Sequence, residues 1–169
     1  MIALPWLRCG EHVVGIADMH VSALPGDRLV TYALGSCLGI AVHDPVAGVG
    51  GLLHVMLPTS AINREKAREN PFVFVDTGVP ALFRACYAAG AQKHRMVVKV
   101  AGGAAAADER DDRFRIGQQN ITTLARLLHR NGVALHAQDV GGVLLSRTLA
   151  LVVGSGDVVV RSNGQEVVL

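Results

Sequence analysis

Two residues with chemistry beyond packing, Cys37 and His54, sit in the stretch TYALGSCLGIAVHDPVAGVGGLLHVMLPTS, residues 31–60. Cys37 follows a Gly-Ser step and opens one apolar run, His54 lies inside a second, and a turn signal separates the two. The reactive form of a cysteine is the thiolate, and a free thiol with a pKa of about 8.5 is mostly protonated at neutral pH. An imidazole in contact with it can take that proton and later deliver one to a leaving amine. Such a pair also needs a third polar group to fix the ring and backbone N–H donors for an oxyanion. Thr31 on the preceding run offers a hydroxyl to orient His54, and Ser36 is a second candidate. The Gly35-Ser36-Cys37 step is where N–H groups for the oxyanion are expected.

Whether Cys37 and His54 meet depends on the hairpin between them. Asp-Pro is a strong turn opener, with Asp favoured at the first turn position and Pro at the second. A turn over Asp44-Pro45-Val46-Ala47 sets His43 against Gly48 and Cys37 against His54. Directly opposed residues of an antiparallel pair have Cα atoms about 4.5–5.5 Å apart, with side chains on one face. A bulge at Gly48, Gly50 or Gly51 shifts that register, and a slip of one residue puts the two on opposite faces. From the residues alone two readings stand. Free cysteines are among the most buried residues and act mainly as small hydrophobes, and a histidine on an apolar strand is often a satisfied core residue. The other reading is a nucleophile and its base.

The rest of the chain must position that hairpin. Its 169 residues match one ordinary domain, 1–169, and half of them are hydrophobic, so a substantial core is expected. Sixteen basic and fourteen acidic residues leave a net charge of +2 without a basic stripe, which argues against nucleic-acid binding. The dense run Asp108-Glu109-Arg110-Asp111-Asp112-Arg113 mixes signs and reads as a solvated loop. No apolar run is long enough to span a bilayer, and the start, MIALPWLRCGEHVV, lacks the pattern of a signal peptide, so a cytoplasmic protein is expected. Three cysteines, Cys9, Cys37 and Cys86, without CxxC spacing argue against a disulfide framework or a zinc site and predict free thiols. His20, His43, His94, His129 and His136 are scattered, so no metal is expected, and no glycine pair has nucleotide-loop spacing, so no cofactor is expected either.

Alternation predicts a strand over 12–22, the turn formers Pro25-Gly26-Asp27 introduce one over 28–35, and apolar runs of strand length predict two more over 37–43 and 51–58; an exposed loop over 59–75 and a helix from Asp76 or Thr77 to Gly90 follow. Residues 95–103 predict a buried strand running into a glycine-rich bend. A helix over 118–131 carries Ile121, Leu124, Leu127 and Leu128 on one stripe. Strands over 133–140, 143–153 and 157–162 follow, the last two joined at Gly-Ser-Gly. About eight strands and two helices in mixed order predict an α+β fold with a large, mostly antiparallel sheet system.

The segment VTYALGSCLGIAVHDPVAGVGGLLHVMLP resembles the signature of the CheD family, the chemoreceptor glutamine deamidases of bacterial and archaeal chemotaxis. The likeness continues through KVAGGA (99–104), IGQQNI (116–121) and DVGG (139–142), in order over nearly the whole chain. It departs at GGAAAADERDD, more acidic and alanine-rich than is usual, and at Ser146, where a glycine commonly precedes the arginine. The resemblance implies two packed mixed, mostly antiparallel β-sheets with flanking helices (α/β/β/α-like), as in cysteine-dependent deamidating toxins. It implies Cys37 as nucleophile, His54 as general acid/base and Thr31 as the residue orienting His54. It implies a glutamine of a methyl-accepting chemotaxis receptor as substrate, converted to glutamate with release of ammonia. Two alternatives remain at this point: a binding partner that regulates the chemotaxis phosphatase CheC, and a receptor methylesterase using the same Cys-His pair.

Overall fold

The computed structural model describes residues 10–108, 110 and 112–169. The readings made on Cys9, on the N-terminal residues 1–9, and on Glu109 and Asp111 lie outside these residues. Among the described residues, ten strands form two five-stranded sheets. The first sheet runs β1 (Glu11–Val13), β3 (Arg28–Leu34), β8 (Arg147–Val152), β9 (Val158–Ser162) and β10 (Gln165–Val168). The second runs β2 (Asp18–Ser22), β5 (Val49–Val55), β4 (Leu38–Asp44), β6 (Val97–Gly102) and β7 (Ala137–Val140). β1–β3 and β6–β7 pair in parallel, and every other ladder is antiparallel. This is the mixed, mostly antiparallel two-sheet architecture expected of the sequence.

The sheets meet over one apolar layer. Leu29, Leu34, Leu149 and Leu151 of the first sheet pack on Ala41, Leu52 and Ala101 of the second, all essentially without solvent contact. The second sheet is apolar on its other face too, where Leu38, Ile40, Val42, Leu53 and Val55 meet two helices, α2 (Val75–Ala88) and α3 (Ile116–Arg130). That double burial explains why β4 and β5 read as continuous apolar runs rather than alternating ones.

Four expectations change. The run 12–22 is two strands in different sheets, because Ala17 takes a left-handed φ of 54° and turns the chain from one layer to the other. The exposed loop over 59–75 is instead ordered and partly buried. Thr59, Asn63 and Asn70 cap successive single turns, including α1 (Arg64–Glu69), and Phe74 is fully buried. Turns that short carry no 3.6-residue period to be read. α2 begins at Val75 without a side-chain cap, since Asp76 accepts from the Ser60 N–H and from the Thr59 and Ser60 hydroxyls. Finally, the last three predicted strands shorten to β7, β8 and β9, and β10 is an additional strand.

β3 also carries a bulge. Thr31 pairs with Leu149 and Leu34 with Arg147, so Tyr32 and Ala33 oppose the single residue Thr148, with Ala33 at φ 56°. Thr31 and Leu34 are both fully buried. A regular strand alternates faces at every residue and cannot bury two positions three apart on one side. The bulge resolves this and leads the chain from the first sheet through Gly35-Ser36-Cys37 into β4 of the second.

Candidate active site

The β4–β5 turn differs from the predicted one, and the difference moves the site. The Asp44 carboxylate accepts from the N–H groups of Val46 and Ala47, and Gly48 at φ 66° donates to the Asp44 carbonyl. The loop is therefore Pro45–Gly48, longer than the two-residue connection expected. His43 pairs with Gly50, and His54 pairs with Gly39 rather than with Cys37. The shift is an even number of residues, so facing is preserved. Cys37 lies two residues before Gly39, diagonal to His54 on the same side, and packs with the layer between the sheets. Diagonal neighbours on a sheet stand about 7–8 Å apart at the backbone, close enough for an imidazole to bridge most of the gap.

His54 is fully buried on β5. Its Nδ1 lies 2.7 Å from Thr31 Oγ1, and Thr31 Oγ1 lies 2.7 Å from the carbonyl oxygen of Val14. A carbonyl only accepts, so the single hydroxyl proton of Thr31 is committed to Val14. The threonine oxygen must then accept from His54 Nδ1–H, which fixes the tautomer. Nε2 is thereby the unprotonated, basic nitrogen, and it is buried without a hydrogen-bond partner among the described residues. Burial pushes the His54 pKa down from 6.5 and so keeps the ring neutral at neutral pH. Burial also pushes the Cys37 thiol up from 9.0, opposed by its own backbone N–H lying against the sulfur. The resting pair is thus a neutral thiol and a neutral base.

The loop carrying the thiol is held by its carbonyls. Gly35 O accepts from Ala104 N–H (2.8 Å), Ser36 O from Asn120 Nδ2 (3.0 Å) and Cys37 O from Gly103 N–H (2.9 Å). Gly102 sits against this loop so closely that a Cβ there would meet Cys37 O at 2.1 Å, and its φ of 116° demands glycine as well. Arg147, almost fully buried, donates to the Gly102 carbonyl and to Asp139, bracing the same bend from the first sheet. With three carbonyls turned inward, the N–H groups of Ser36 and Cys37 have no backbone partner among the described residues. Gly35 differs: its N–H donates to Ala33 O, which removes it as an oxyanion donor. Among the described residues Ser36 makes no side-chain hydrogen bond to His54, and the partner of the ring there is Thr31.

A cavity of about 400 Å³ opens beside Gly35 and Ser36, walled by Ala104, Phe114, Ile116 and Leu144. Phe114 and Leu144 are largely exposed at its rim. Among the described residues no cluster of three or more histidine, cysteine, aspartate or glutamate side chains converges. No helix among them is long and apolar enough to cross a membrane.

Two contributors went unread in the sequence, Val14 and Asn120. Val14 acts through its carbonyl, which no residue type advertises. Asn120 had a visible signal: it is a polar residue four before Leu124 and eight before Leu128, on the buried stripe of α3.

Comparison with known proteins gives a consistent identity. Residues 56–162 match the family model described as CheD chemotactic sensory transduction, a segment that starts just after His54. The longer relatives reach the hairpin as well. A Syntrophus aciditrophicus protein named "Probable chemoreceptor glutamine deamidase CheD 1" is 48% identical over 155 residues, 92% of this chain and 96% of its own length. A Solibacter usitatus protein of similar name is 42% identical over 91% of this chain and 90% of its own length. One from Anaeromyxobacter dehalogenans, also so named, is 45% identical over 90% and 94%.

Proposed function

The chain belongs to the CheD family, and from that premise we propose that it is a protein-glutamine deamidase, one domain over residues 1–169, acting in the cytoplasm on glutamine side chains of chemotaxis receptors. The observation that carries the chemistry is the fixed tautomer of His54. Its Nδ1–H is bound to Thr31, and its bare Nε2 is buried on the face that Cys37 shares.

In the proposed mechanism Cys37 Sγ attacks the carboxamide carbon while His54 Nε2 takes the thiol proton. The N–H groups of Ser36 and Cys37 receive the developing oxyanion. As the tetrahedral adduct collapses, the C–N bond breaks, and His54 gives its proton to the departing nitrogen, which leaves as ammonia. A thioester remains. Water attacks it, His54 takes one water proton, and cleavage of the C–S bond yields the glutamate carboxyl and regenerates the thiol. Thr31 keeps the ring oriented through both steps and, with Val14, stabilises the imidazolium form. The net reaction is glutamine plus water to glutamate plus ammonia, which turns a neutral side chain into an anionic, methylatable one.

The test is mass spectrometry of receptor peptides after incubation with the protein, alongside an ammonia assay. Deamidation converts a carboxamide to a carboxylic acid and shifts the peptide mass accordingly, whereas ester hydrolysis removes a methyl group. Unmodified glutamines with demethylated esters would replace this reading by the methylesterase one. The family resemblance further supports docking to the phosphatase CheC on the face that receives substrate. A pull-down run beside the ammonia assay separates docking from turnover.

A further inference from the structure

Asparagine is a poor helix-interior residue, because its short amide competes for backbone hydrogen bonds. Asn120 nevertheless sits inside α3, fully buried, and it does not cap the helix, which starts at Ile116 after Arg115 with no side-chain cap. Its Nδ2 donates to two carbonyls at once, Ser36 O at 3.0 Å and Met56 O at 2.9 Å. Its Oδ1 is buried with no partner among the described residues. A helix-interior asparagine and an unpartnered buried Oδ1 both cost stability, and such costs mark a position kept for another reason.

The two carbonyls identify that reason. Leu38 and Val55 are the last paired residues of the hairpin. Ser36 and Met56 lie just beyond, where the ladder has stopped. Cys37 follows Ser36, and His54 is two residues before Met56. Two carbonyl oxygens facing each other repel, and a backbone N–H supplies only one proton. A carboxamide NH2 supplies two in a fixed fork and can hold both. The helix that delivers it is itself docked by backbone contact. A Cβ on Gly117 would meet Gly103 O at 2.5 Å, and Gly103 N–H is the donor to Cys37 O. One turn of helix thus carries Asn120 from the bend under Cys37 to the gap between the nucleophile's strand and the base's strand.

We propose that Asn120 is a positioning residue, a clasp whose two N–H groups close the open end of the β4–β5 hairpin and set Cys37 against His54. The proposal rests on the Cys37–His54 reading above and deepens it.

The test is a coupling cycle on the thiol itself, independent of any receptor. The rate of Cys37 alkylation by iodoacetamide is followed by peptide mass spectrometry in the full-length protein, in His54→Gln, in Asn120→Leu and in the double variant. Loss of the base is expected to slow alkylation about tenfold in the wild-type background. In the Asn120→Leu background it should change the rate less than about twofold, because the base no longer reaches the thiol. An equal effect of His54→Gln in both backgrounds overturns the clasp and leaves the Cys37–His54 pair standing. No effect of His54→Gln on the wild-type rate overturns the pair and the clasp together. Leu124→Ala on the same buried stripe of α3 is the stability control, lowering the melting temperature with the His54 dependence intact. A Leu124→Ala variant that loses this dependence as fully as Asn120→Leu also overturns the proposal. Asn120→Ser, with a single short donor, replaces Asn120→Leu if the latter does not fold.

Discussion

Among the described residues, the buried polar side chains His43 and Asp44 at the turn of the β4–β5 hairpin both have partners, whereas two buried polar atoms beside its open end have none. His43, nearly buried, has its Nε2 on the Val153 carbonyl at 2.8 Å. Asp44, with no exposure, accepts from Val46, Ala47 and Gln92 N–H groups and from the Arg95 guanidinium. At the other end His54 Nε2 and Asn120 Oδ1 are buried without partners among the described residues. A buried polar group without a partner costs about 1–3 kcal/mol, so a fold optimised for stability alone removes it. The turn end shows that this chain can do so. Of the two atoms at the open end, the bare His54 Nε2 is the one that the proposed reaction uses, as its base; Arg147 Nε and Ser162 Oγ are likewise buried without partners among the described residues and take no part in it.

The thiols repeat the contrast and give the largest expected effect. Cys86 lies on α2 in the layer between helices and sheet, and burial pushes its pKa up to about 12. Cys37→Ala should lower ammonia release from receptor by about 10⁴-fold or more, while the melting temperature moves little. Cys86→Ser should leave the rate unchanged and cost about 1–3 kcal/mol by burying an unpaired hydroxyl. A Cys86 variant that loses turnover while still folded would break the comparison.

The next largest effect belongs to the turn end and is one of stability. Asp44→Ala should cost about 3 kcal/mol in urea unfolding, with kcat unchanged, because three N–H groups and a guanidinium lose their acceptor. The same carboxylate sets an acid limit. The Arg95 guanidinium beside Asp44 holds its carboxyl well below the usual carboxylate range. Its contribution is thus fully present above a pH of about 4, the unfolded value, and is lost as pH falls from there toward the folded pKa. Asp44→Asn should flatten that part of the stability curve.

Thr31→Ala should reduce kcat by about 10–100-fold, the usual cost of losing a group that orients a reactive one, while Thr31→Ser retains most activity. The mildest signature is the pH profile of kcat/KM. His54 is pushed below 6.5 and Cys37 above 9.0. The acid limb should therefore fall below the first value and the alkaline limb above the second, leaving a broad plateau between them. An acid limb centred above pH 6.5 would mean a His54 held charged by a partner, and would close the gap between the two ends.

Much of this contrast was legible in the residues. The Asp-Pro turn and the apolar runs flanking it gave the hairpin and put Cys37 and His54 on one face; the residues left Thr31 and Ser36 both open as the partner of the histidine, and the family resemblance implied Thr31. The register was not legible, because the loop length depends on an Asp44 side-chain turn and a left-handed Gly48, and residue types allow either length. The strand split at Ala17 and the bulge at Ala33 were hidden for the same reason, since alanine does not announce a positive φ. The segment 59–75 failed because its order comes from caps of single turns, not from periodicity. Val14 escaped entirely, for it acts only through its main chain.

The Thr31–His54 hydrogen bond joins β3 of one sheet to β5 of the other, so orientation of the base is a property of neither sheet alone. A collapsed state that keeps its strands but loosens the layer between them would retain its far-ultraviolet circular dichroism and lose turnover. In the proposed mechanism, catalytic rate is thus a gauge of how firmly the two halves of the sandwich are seated.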